Sequence, residues 1–166
     1  MTRNIAPALA ALALLPLLAA CSSLGGASAF GSAKLEVAEL SNVGSYSAQS
    51  ALAEARAHFR NGDFGHSAAL YKRVVELQPG NAEGYVGLGA SYDRLRRFDL
   101  ADRVYASLFK LTGGTVQYYN NLGYSYMLRG NLAGAAKNFQ EARRLAPDNL
   151  VIANNLQLLA DATSRA

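Results

Sequence analysis

Few residues in this sequence could carry catalysis or bind a metal. The chain has one cysteine, Cys21, and two histidines, His58 and His66, which stand eight positions apart. A single thiol excludes a disulfide framework and any zinc or iron–sulfur site built from several cysteines. The two histidines have no further ligands at the spacings that zinc motifs use. The sequence therefore predicts neither a metal nor a cofactor.

Motifs for nucleophilic or phosphate chemistry are also missing from the sequence. It contains no glycine-rich phosphate loop and no nucleophile elbow, and its 12 carboxylates are scattered along the chain. His66 follows a turn at Gly62–Gly65 and is expected to be exposed, while His58 could lie on either face of a helix. The sequence therefore predicts a binding protein and no enzymatic activity.

Cys21 is the residue whose chemistry the sequence does indicate. A positive start at Arg3 precedes an uncharged stretch from Ile5 to Ala20, as in a secretory signal peptide. The stretch is shorter than the roughly 20 residues that a spanning helix needs, and two prolines interrupt it. Residues 1–20 are therefore predicted to be a signal peptide.

The end of that signal, Leu18-Ala19-Ala20-Cys21, resembles the bacterial lipobox. The resemblance implies that Cys21 is acylated, with palmitate-type chains, and becomes the new N-terminus. Ser22-Ser23 lacks the aspartate associated with inner-membrane retention, which favours an outer-membrane anchor facing the periplasm. The alternative is an ordinary secreted protein in which a cysteine stands there by chance.

Composition limits the rest of the chain to one modest domain on a tether. The 166 residues are 51% hydrophobic and can bury a single core, and a net charge of +4 is too weak to indicate nucleic-acid binding. Residues 21–47 are rich in Ser, Gly and Ala and are predicted to be the lipidated cysteine and a flexible tether. A helix over Lys34–Leu40 that packs on the domain is the alternative for part of this segment.

A repeat with a fixed period organises residues 48–166. The pattern Tyr-x2-Leu-Gly-x2-Tyr occurs twice, 34 positions apart, at Tyr85–Tyr92 and Tyr119–Tyr126. Its phase predicts helix pairs at 48–81, 82–115 and 116–149, followed by a capping helix at 150–163. This pattern resembles the tetratricopeptide repeat, which implies an all-α fold, a right-handed superhelix of stacked helix–turn–helix units.

Apolar spacing inside each unit predicts how the helices pack. Glycines within helices cost about 1 kcal/mol relative to alanine, so Gly89 and Gly123 are expected to allow close approach of the partner helix at Ala101 and Ala135. In the last helix, an N-cap is predicted at Asn149. That helix is predicted to turn three residues inward and a polar face outward, as a solvating cap; the three are Ala153, Leu156 and Ala160.

In tetratricopeptide arrays, the first helix of each pair lines a concave groove that receives an extended peptide or a helix of a partner protein. The phase of the repeats assigns to this groove Leu52, Arg56, Phe59, Arg60, Val86, Ala90, Asp93, Arg94, Asn120, Asn121, Tyr124, Met127, Leu128, Asn154, Asn155 and Leu158. The candidate peptide-binding residues among them are Arg56, Arg94, Asn120, Asn121, Tyr124, Met127, Asn154 and Asn155.

Two asparagine pairs stand one period apart in this groove, Asn120-Asn121 and Asn154-Asn155. Amide side chains both donate and accept, so they can bind the backbone of an extended peptide. The alternative is that these asparagines bond to neighbouring parts of their own chain. The two-carboxylate clamp of chaperone-binding relatives is not matched, because other residues stand at its positions, namely Leu52, Arg56, Gln117 and Asn121.

The whole layout resembles the tetratricopeptide lipoproteins of Tad (Flp) pilus systems. The resemblance rests on the lipobox, the linker and the motifs at Gly89–Leu95, Asn120–Tyr126 and Asn154–Leu156. It implies a pilotin-like accessory that holds a segment of a secretin or of a pilus-assembly subunit. A general envelope scaffold that recruits peptidoglycan or outer-membrane assembly enzymes is the alternative.

Overall fold

The computed structural model describes residues 41–165, which form seven α-helices after a short 3-10 turn and contain no strand. The 3-10 turn is Val43–Ser45. The helices are α1 (Ala48–Arg60), α2 (Phe64–Leu77), α3 (Ala82–Arg94), α4 (Phe98–Thr112), α5 (Val116–Leu128), α6 (Leu132–Leu145) and α7 (Leu150–Thr163). The predicted all-α fold of stacked helix pairs is confirmed.

Successive helices pair as α1 with α2, α3 with α4 and α5 with α6, and each pair packs on the next. The first helices of the pairs also contact one another in the order α1, α3, α5, α7. We call these four the inner helices. They therefore form one continuous side of the stack.

Most of the helices begin at a residue whose side chain accepts a hydrogen bond from the first turn. These N-caps are Ser47, Asp63, Asn81, Thr115, Asn131 and Asn149. The predicted cap at Asn149 is confirmed, and its side chain accepts bonds from the backbone N–H groups of Val151 and Ile152. Arg97, the N-cap of α4, makes no such bond.

Aromatic rings explain the glycines inside α3 and α5. A Cβ atom added at Gly89 would lie 2.9 Å from the ring of Tyr105, and one at Gly123 would lie 2.7 Å from the ring of Phe139. Both rings are almost fully buried. The close approach predicted at the two glycines is therefore confirmed, but the group that approaches most closely is the ring of the second helix.

Small residues on the second helices occupy the tightest part of each pair. Ser67, Ala101 and Ala135 stand 34 positions apart and are all fully buried. The hydroxyl of Ser67 donates to the carbonyl of Ala55 at 3.0 Å and lies 3.0 Å from the hydroxyl of Ser91. The serine therefore fits the alanine position because its hydroxyl has partners within the core.

The inward face predicted for α7 is corrected by the structure. Ile152 and Leu159 are buried and Leu156 is half-buried, whereas Ala153 and Ala160 are exposed. The exposed positions of α7 are mixed, since they include the polar Asn154, Gln157 and Asp161 and also the apolar Leu150, Val151 and Leu158. Leu156 and Leu159 lie inward because they reach Phe139 and Ala135 in α6.

The last part of the segment predicted as a tether belongs to the folded domain. Val43 and Tyr46 pack against the core, and the Arg73 guanidinium donates to the carbonyl of Gly44 at 3.0 Å. The predicted signal peptide, Cys21 and the helix considered at Lys34–Leu40 lie outside the described residues. Among residues 41–165, no helix is both long and apolar enough to cross a bilayer.

Each helix pair turns at a residue with positive φ. Gly62 (φ 79°), Arg96 (φ 56°) and Gly130 (φ 80°) occupy the same place in three successive units, 34 positions apart. The glycines adopt this conformation without strain, but a side chain at this backbone position costs about 1–2 kcal/mol. The turn between α3 and α4 therefore carries a cost that the other two turns avoid.

We expect Arg96→Gly to raise the free energy of unfolding by about 0.5–1 kcal/mol. Glycine removes the cost of the left-handed conformation, about 1–2 kcal/mol. It also adds entropy to the unfolded chain, which costs only about 0.5–1 kcal/mol, so the net change stabilises the fold. Urea denaturation followed by circular dichroism measures the change. Arg103→Gly, inside α4 and exposed, is the control and should lose about 1 kcal/mol. A loss of stability in both variants would contradict the expectation.

Candidate functional site

A cavity of about 590 Å³ opens on the side formed by the inner helices. We call it the inner cavity. Its lining comes mainly from α3 and α5 and consists of Phe59, Tyr71, Glu83, Val86, Gly87, Ala90, Asp93, Arg94, Tyr105, Gln117, Asn121, Tyr124 and Leu128. The surface thus combines aliphatic and aromatic groups with two amides, two carboxylates and one guanidinium.

The floor of the inner cavity is built where rings of the second helices reach the inner helices. The ring of Tyr71 in α2 lies against the backbone of α3 at Gly87, where a Cβ atom would overlap it. Tyr105 in α4 reaches the same helix at Gly89. The absence of side chains at these two glycines therefore makes room for the rings, and the rings close the cavity from behind.

Asp93 lies at the bottom of the inner cavity and is the centre of a buried polar network. The hydroxyl of Tyr105 donates to Asp93 Oδ2 at 2.9 Å, and the hydroxyl of Ser125 donates to Oδ1 at 2.6 Å. Arg129 Nη2 lies 3.7 Å from Oδ1 and donates to the Ser125 hydroxyl at 2.6 Å. Asp93 in α3 thereby links the second helix pair to α5 of the third.

Arg129 holds the outer end of this network. Its Nη1 donates to both carboxylate oxygens of Asp102, at 2.8 and 2.9 Å. Its guanidinium also lies over the rings of Phe98 (4.8 Å) and Tyr126 (5.2 Å). Because the side chain is held by a carboxylate, a hydroxyl and two rings, it supports Asp93 and is not free to bind a ligand.

Burial controls the electrostatics of the network. Desolvation raises the pKa of Asp93 to about 6, against the hydrogen bonds from Ser125 and Tyr105 and the charge of Arg129, which lower it. The charge of Asp102 adds to the increase. Burial and the neighbouring Asp93 also raise the pKa of the Tyr105 hydroxyl. The floor of the cavity therefore contains a carboxylate that titrates within about a unit of neutral pH.

Four of the eight candidate peptide-binding residues lie at the inner cavity or beside it. Asn121 and Tyr124 line it, and Arg94 lines it with its guanidinium 4.4 Å from the ring centre of Phe64. Arg56 forms a double hydrogen bond with Glu83, at 2.6 and 2.5 Å. This ion pair neutralises Arg56, so the pair adds no net charge to this end of the groove.

The other four candidates lie toward α7. Asn155 Nδ2 donates to Asn120 Oδ1 at 2.9 Å, so these two amides join α5 to α7. Met127 packs on the apolar cluster of α5, α6 and α7, and Asn154 is exposed. Asn121 is the one member of the two asparagine pairs that is among the residues lining the inner cavity. Cys21, the predicted lipidation site, lies outside the described residues.

Sequence reasoning assigned Asp93 to the groove but missed the residues that hold it. Ser125 and Arg129 lie 32 and 36 positions from Asp93, so their bonds cross between units and leave no mark on the 34-residue pattern. One available signal was a second serine, Ser91, one period before Ser125 and buried like it.

Two comparisons with known families and structures agree with this architecture. Profiles of the tetratricopeptide repeat match residues 52–101 and 116–149. The fold resembles the first tetratricopeptide-repeat domain of human RPAP3, with a TM-score of 0.63 and 19% identity, over 71% of this chain and 93% of that one. A search among curated protein sequences found no match.

Two further similar structures were determined as complexes. The TPR2B domain of yeast Sti1, in a complex named for pHsp70, has a TM-score of 0.62 and 19% identity over 72% of this chain and 98% of that one. The type III secretion chaperone SycD of Yersinia enterocolitica, with a peptide of the translocator YopD, has a TM-score of 0.58 and 14% identity over 70% and 89%. At these identities the likeness establishes the fold alone.

We expect Asp93→Asn to change how stability depends on pH. The pKa of Asp93 is about 6 in the folded state against 3.8 as its ordinary value, so the folded state binds the proton more tightly. This tighter proton binding stabilises the folded state fully below the ordinary pKa, and the stabilisation is lost as pH rises through about 6. The variant lacks this loss, so its stability relative to the parent should rise by about 2 kcal/mol from pH 4 to pH 7.5.

Urea denaturation at several pH values measures the difference. Asp148→Asn changes an exposed carboxylate in the same way and should follow the parent at every pH. Parallel stability curves for Asp93→Asn and the parent would show that Asp93 titrates normally.

Proposed function

We propose that this chain, a tetratricopeptide-repeat protein, binds a segment of a partner protein in the inner cavity and holds it close to a membrane. The observation that carries the proposal is the cavity itself, which lies on the side built by the inner helices. SycD, whose fold is similar to that of this chain, was solved with a peptide of YopD. An interaction scaffold needs no catalytic group, and the proposal assigns none.

The lining suits an extended segment or a short helix. Side chains such as Phe59, Val86 and Leu128 offer apolar contact, while the amides of Gln117 and Asn121 can bond to a peptide backbone. Tyr124 supplies a ring together with a hydroxyl, a type of group that is common at binding hot spots. Apolar contact would supply the affinity, and the amides would fix the orientation of the segment.

The charges of the inner cavity argue against a partner that ends in a cluster of carboxylates. Arg56 is neutralised by Glu83, and Asp93 and Glu83 both line the cavity. Arg94 is the single cationic residue among the lining residues. A partner segment with apolar side chains and few acidic groups fits this surface better.

The signal sequence and the lipobox support a location for this binding. Acylation of Cys21 would anchor the chain, and Ser22-Ser23 favours the outer membrane, facing the periplasm. The resemblance to Tad (Flp) lipoproteins supports a pilotin-like role in pilus or secretion-system assembly, with a secretin or pilus-assembly subunit as partner. A scaffold for peptidoglycan or outer-membrane assembly enzymes remains the alternative outcome of the test.

We expect the double variant Asn121→Ala/Tyr124→Ala to lose its partner while keeping fold and location. Both side chains line the cavity and are half-buried, so their truncation removes contact surface and one amide. Tyr124 also packs against the buried cluster around Phe139, so circular dichroism of the double variant must first show that its helices are kept. In-cell crosslinking of the full chain with a C-terminal tag, followed by mass spectrometry of the outer-membrane fraction, measures the loss.

Asn155→Ala is the matched control, because that amide joins α5 to α7 outside the cavity. A secretin or pilus subunit that copurifies with the parent and the control, but not with the double variant, would support the assembly role. Cell-wall enzymes captured equally by all three proteins would replace it with the general scaffold and place its binding surface elsewhere on the stack.

We expect Cys21→Ser to release the protein from the membrane. The change removes the thiol that acylation requires and leaves residues 41–165 intact, so the protein should move from the membrane to the soluble envelope fraction and lose incorporation of labelled palmitate. Fractionation and metabolic labelling measure both. Unchanged membrane association, or equal labelling, would contradict lipidation at this cysteine.

A further inference from the structure

Two imidazoles and one carboxylate converge at the turn between α1 and α2. His58 Nδ1 lies 2.9 Å from Asp63 Oδ2, and His66 Nδ1 lies 2.7 Å from the same oxygen. The two rings are stacked with their centroids 5.2 Å apart. One donor atom from each residue lies within 4.8 Å of the other two. His58–His66 spacing alone did not indicate a ligand set, because the third donor is an aspartate in the turn between them.

Local structure holds these three residues in place. Gly62, with φ 79°, reverses the chain between the last turn of α1 and the first turn of α2. Asp63 is the N-cap of α2, and its Oδ1 accepts from the backbone N–H of His66 at 3.3 Å. This bond leaves Oδ2 directed at the two rings. The carboxylate and both imidazoles are therefore positioned by a glycine turn and a helix cap.

The donor set matches the chemistry of zinc. Zn²⁺ binds imidazole nitrogen at about 2.0–2.1 Å and carboxylate oxygen at about 2.0–2.2 Å, which puts tetrahedral ligands roughly 3.3 Å apart. The present separations of 2.7 and 2.9 Å are shorter by about half an ångström. The side chains are between 34% and 40% exposed, so small rotations about their χ angles can open that space.

The charge state of the cluster also suits a cation. Asp63 is the one anionic donor of the cluster, and the Nδ1 atoms of both imidazoles lie within hydrogen-bond distance of its Oδ2. An imidazole binds a metal through Nδ1 in the tautomer whose proton is on Nε2, so a bound metal would take the place of the hydrogen bonds between the two Nδ1 atoms and Asp63.

We propose that His58, Asp63 and His66 form a binding site for a divalent transition metal, Zn²⁺ being the ion that this donor set fits. Three protein ligands leave one tetrahedral position for water or for a donor from another molecule. The metal would join the end of α1 to the start of α2 across their turn. It would thus stabilise the first helix pair, where Glu54-Ala55 stands in place of the Leu-Gly of the later units.

Zinc binding is tested on the full chain without a histidine tag, with Cys21→Ser in every sample so that no thiol competes for the metal. Isothermal titration with ZnCl2 gives stoichiometry and affinity, and thermal unfolding gives the effect on Tm. The chain has only two histidines, so both sets of imidazole nitrogen signals in NMR spectra belong to this cluster. We expect one zinc per chain, a changed Nδ1 signal for both rings and a higher Tm.

Asp63→Asn keeps an N-cap residue on α2 and removes the anionic ligand, and His66→Gln removes one imidazole. Each should weaken zinc binding at least about tenfold and abolish the increase in Tm. Asp148→Asn, the control, changes an exposed carboxylate far along the sequence and should bind zinc like the parent.

Three results would each overturn the proposal. They are the absence of heat on titration with zinc, unshifted Nδ1 signals, and equal binding by Asp63→Asn and the parent. Each would mean that the two imidazoles simply donate hydrogen bonds to Asp63. Loss of binding in both Asp63→Asn and His66→Gln, with both variants folded by circular dichroism, supports the site independently of any protein partner.

Discussion

The stack depends on contact between a ring and a backbone inside the second and third helix pairs. Tyr105 against Gly89 and Phe139 against Gly123 bring two helices closer than a side chain would allow, and the contact repeats at an interval of 34 residues. Each ring is buried between its own pair and the next. No pair can cover its rings alone, so stacking completes the core. The inner helices lie side by side as a result, and the cavity exists because they do.

The periodic features of the sequence predicted the fold, but they did not predict the contacts between units. The spacing of Tyr119, Leu122 and Gly123 located α5 because apolar positions repeat at the helical period. The αL turns at Gly62 and Gly130 also follow from residue type, but Arg96 does not, since arginine gives no signal of positive φ. Its conformation is imposed by the turn that its neighbours in the repeat share.

The candidate site was predictable only in part, for a related reason. Asn121 and Tyr124 were assigned to the groove by phase alone, and they line the cavity. The partner of Asn155 could not be read in the same way, because its bond to Asn120 joins positions 35 residues apart on different helices. Polar side chains choose among several reachable partners, and the choice depends on rotamers that a repeat pattern does not encode.

Directional hydrogen bonds restrict how adjacent units can move against one another. Ser67 and Ser91 are hydrogen-bonded between the first and second pairs. Ser125 donates to Asp93 between the second and third pairs, and Asn155 donates to Asn120 between α7 and α5. Apolar surfaces could slide past one another, but hydrogen bonds cannot be kept if neighbouring units rotate. In the language of linear Ising chains, these bonds strengthen the coupling between adjacent units relative to the stability of each one. Opening one unit therefore disturbs the next, and the domain should lose its structure in few cooperative steps.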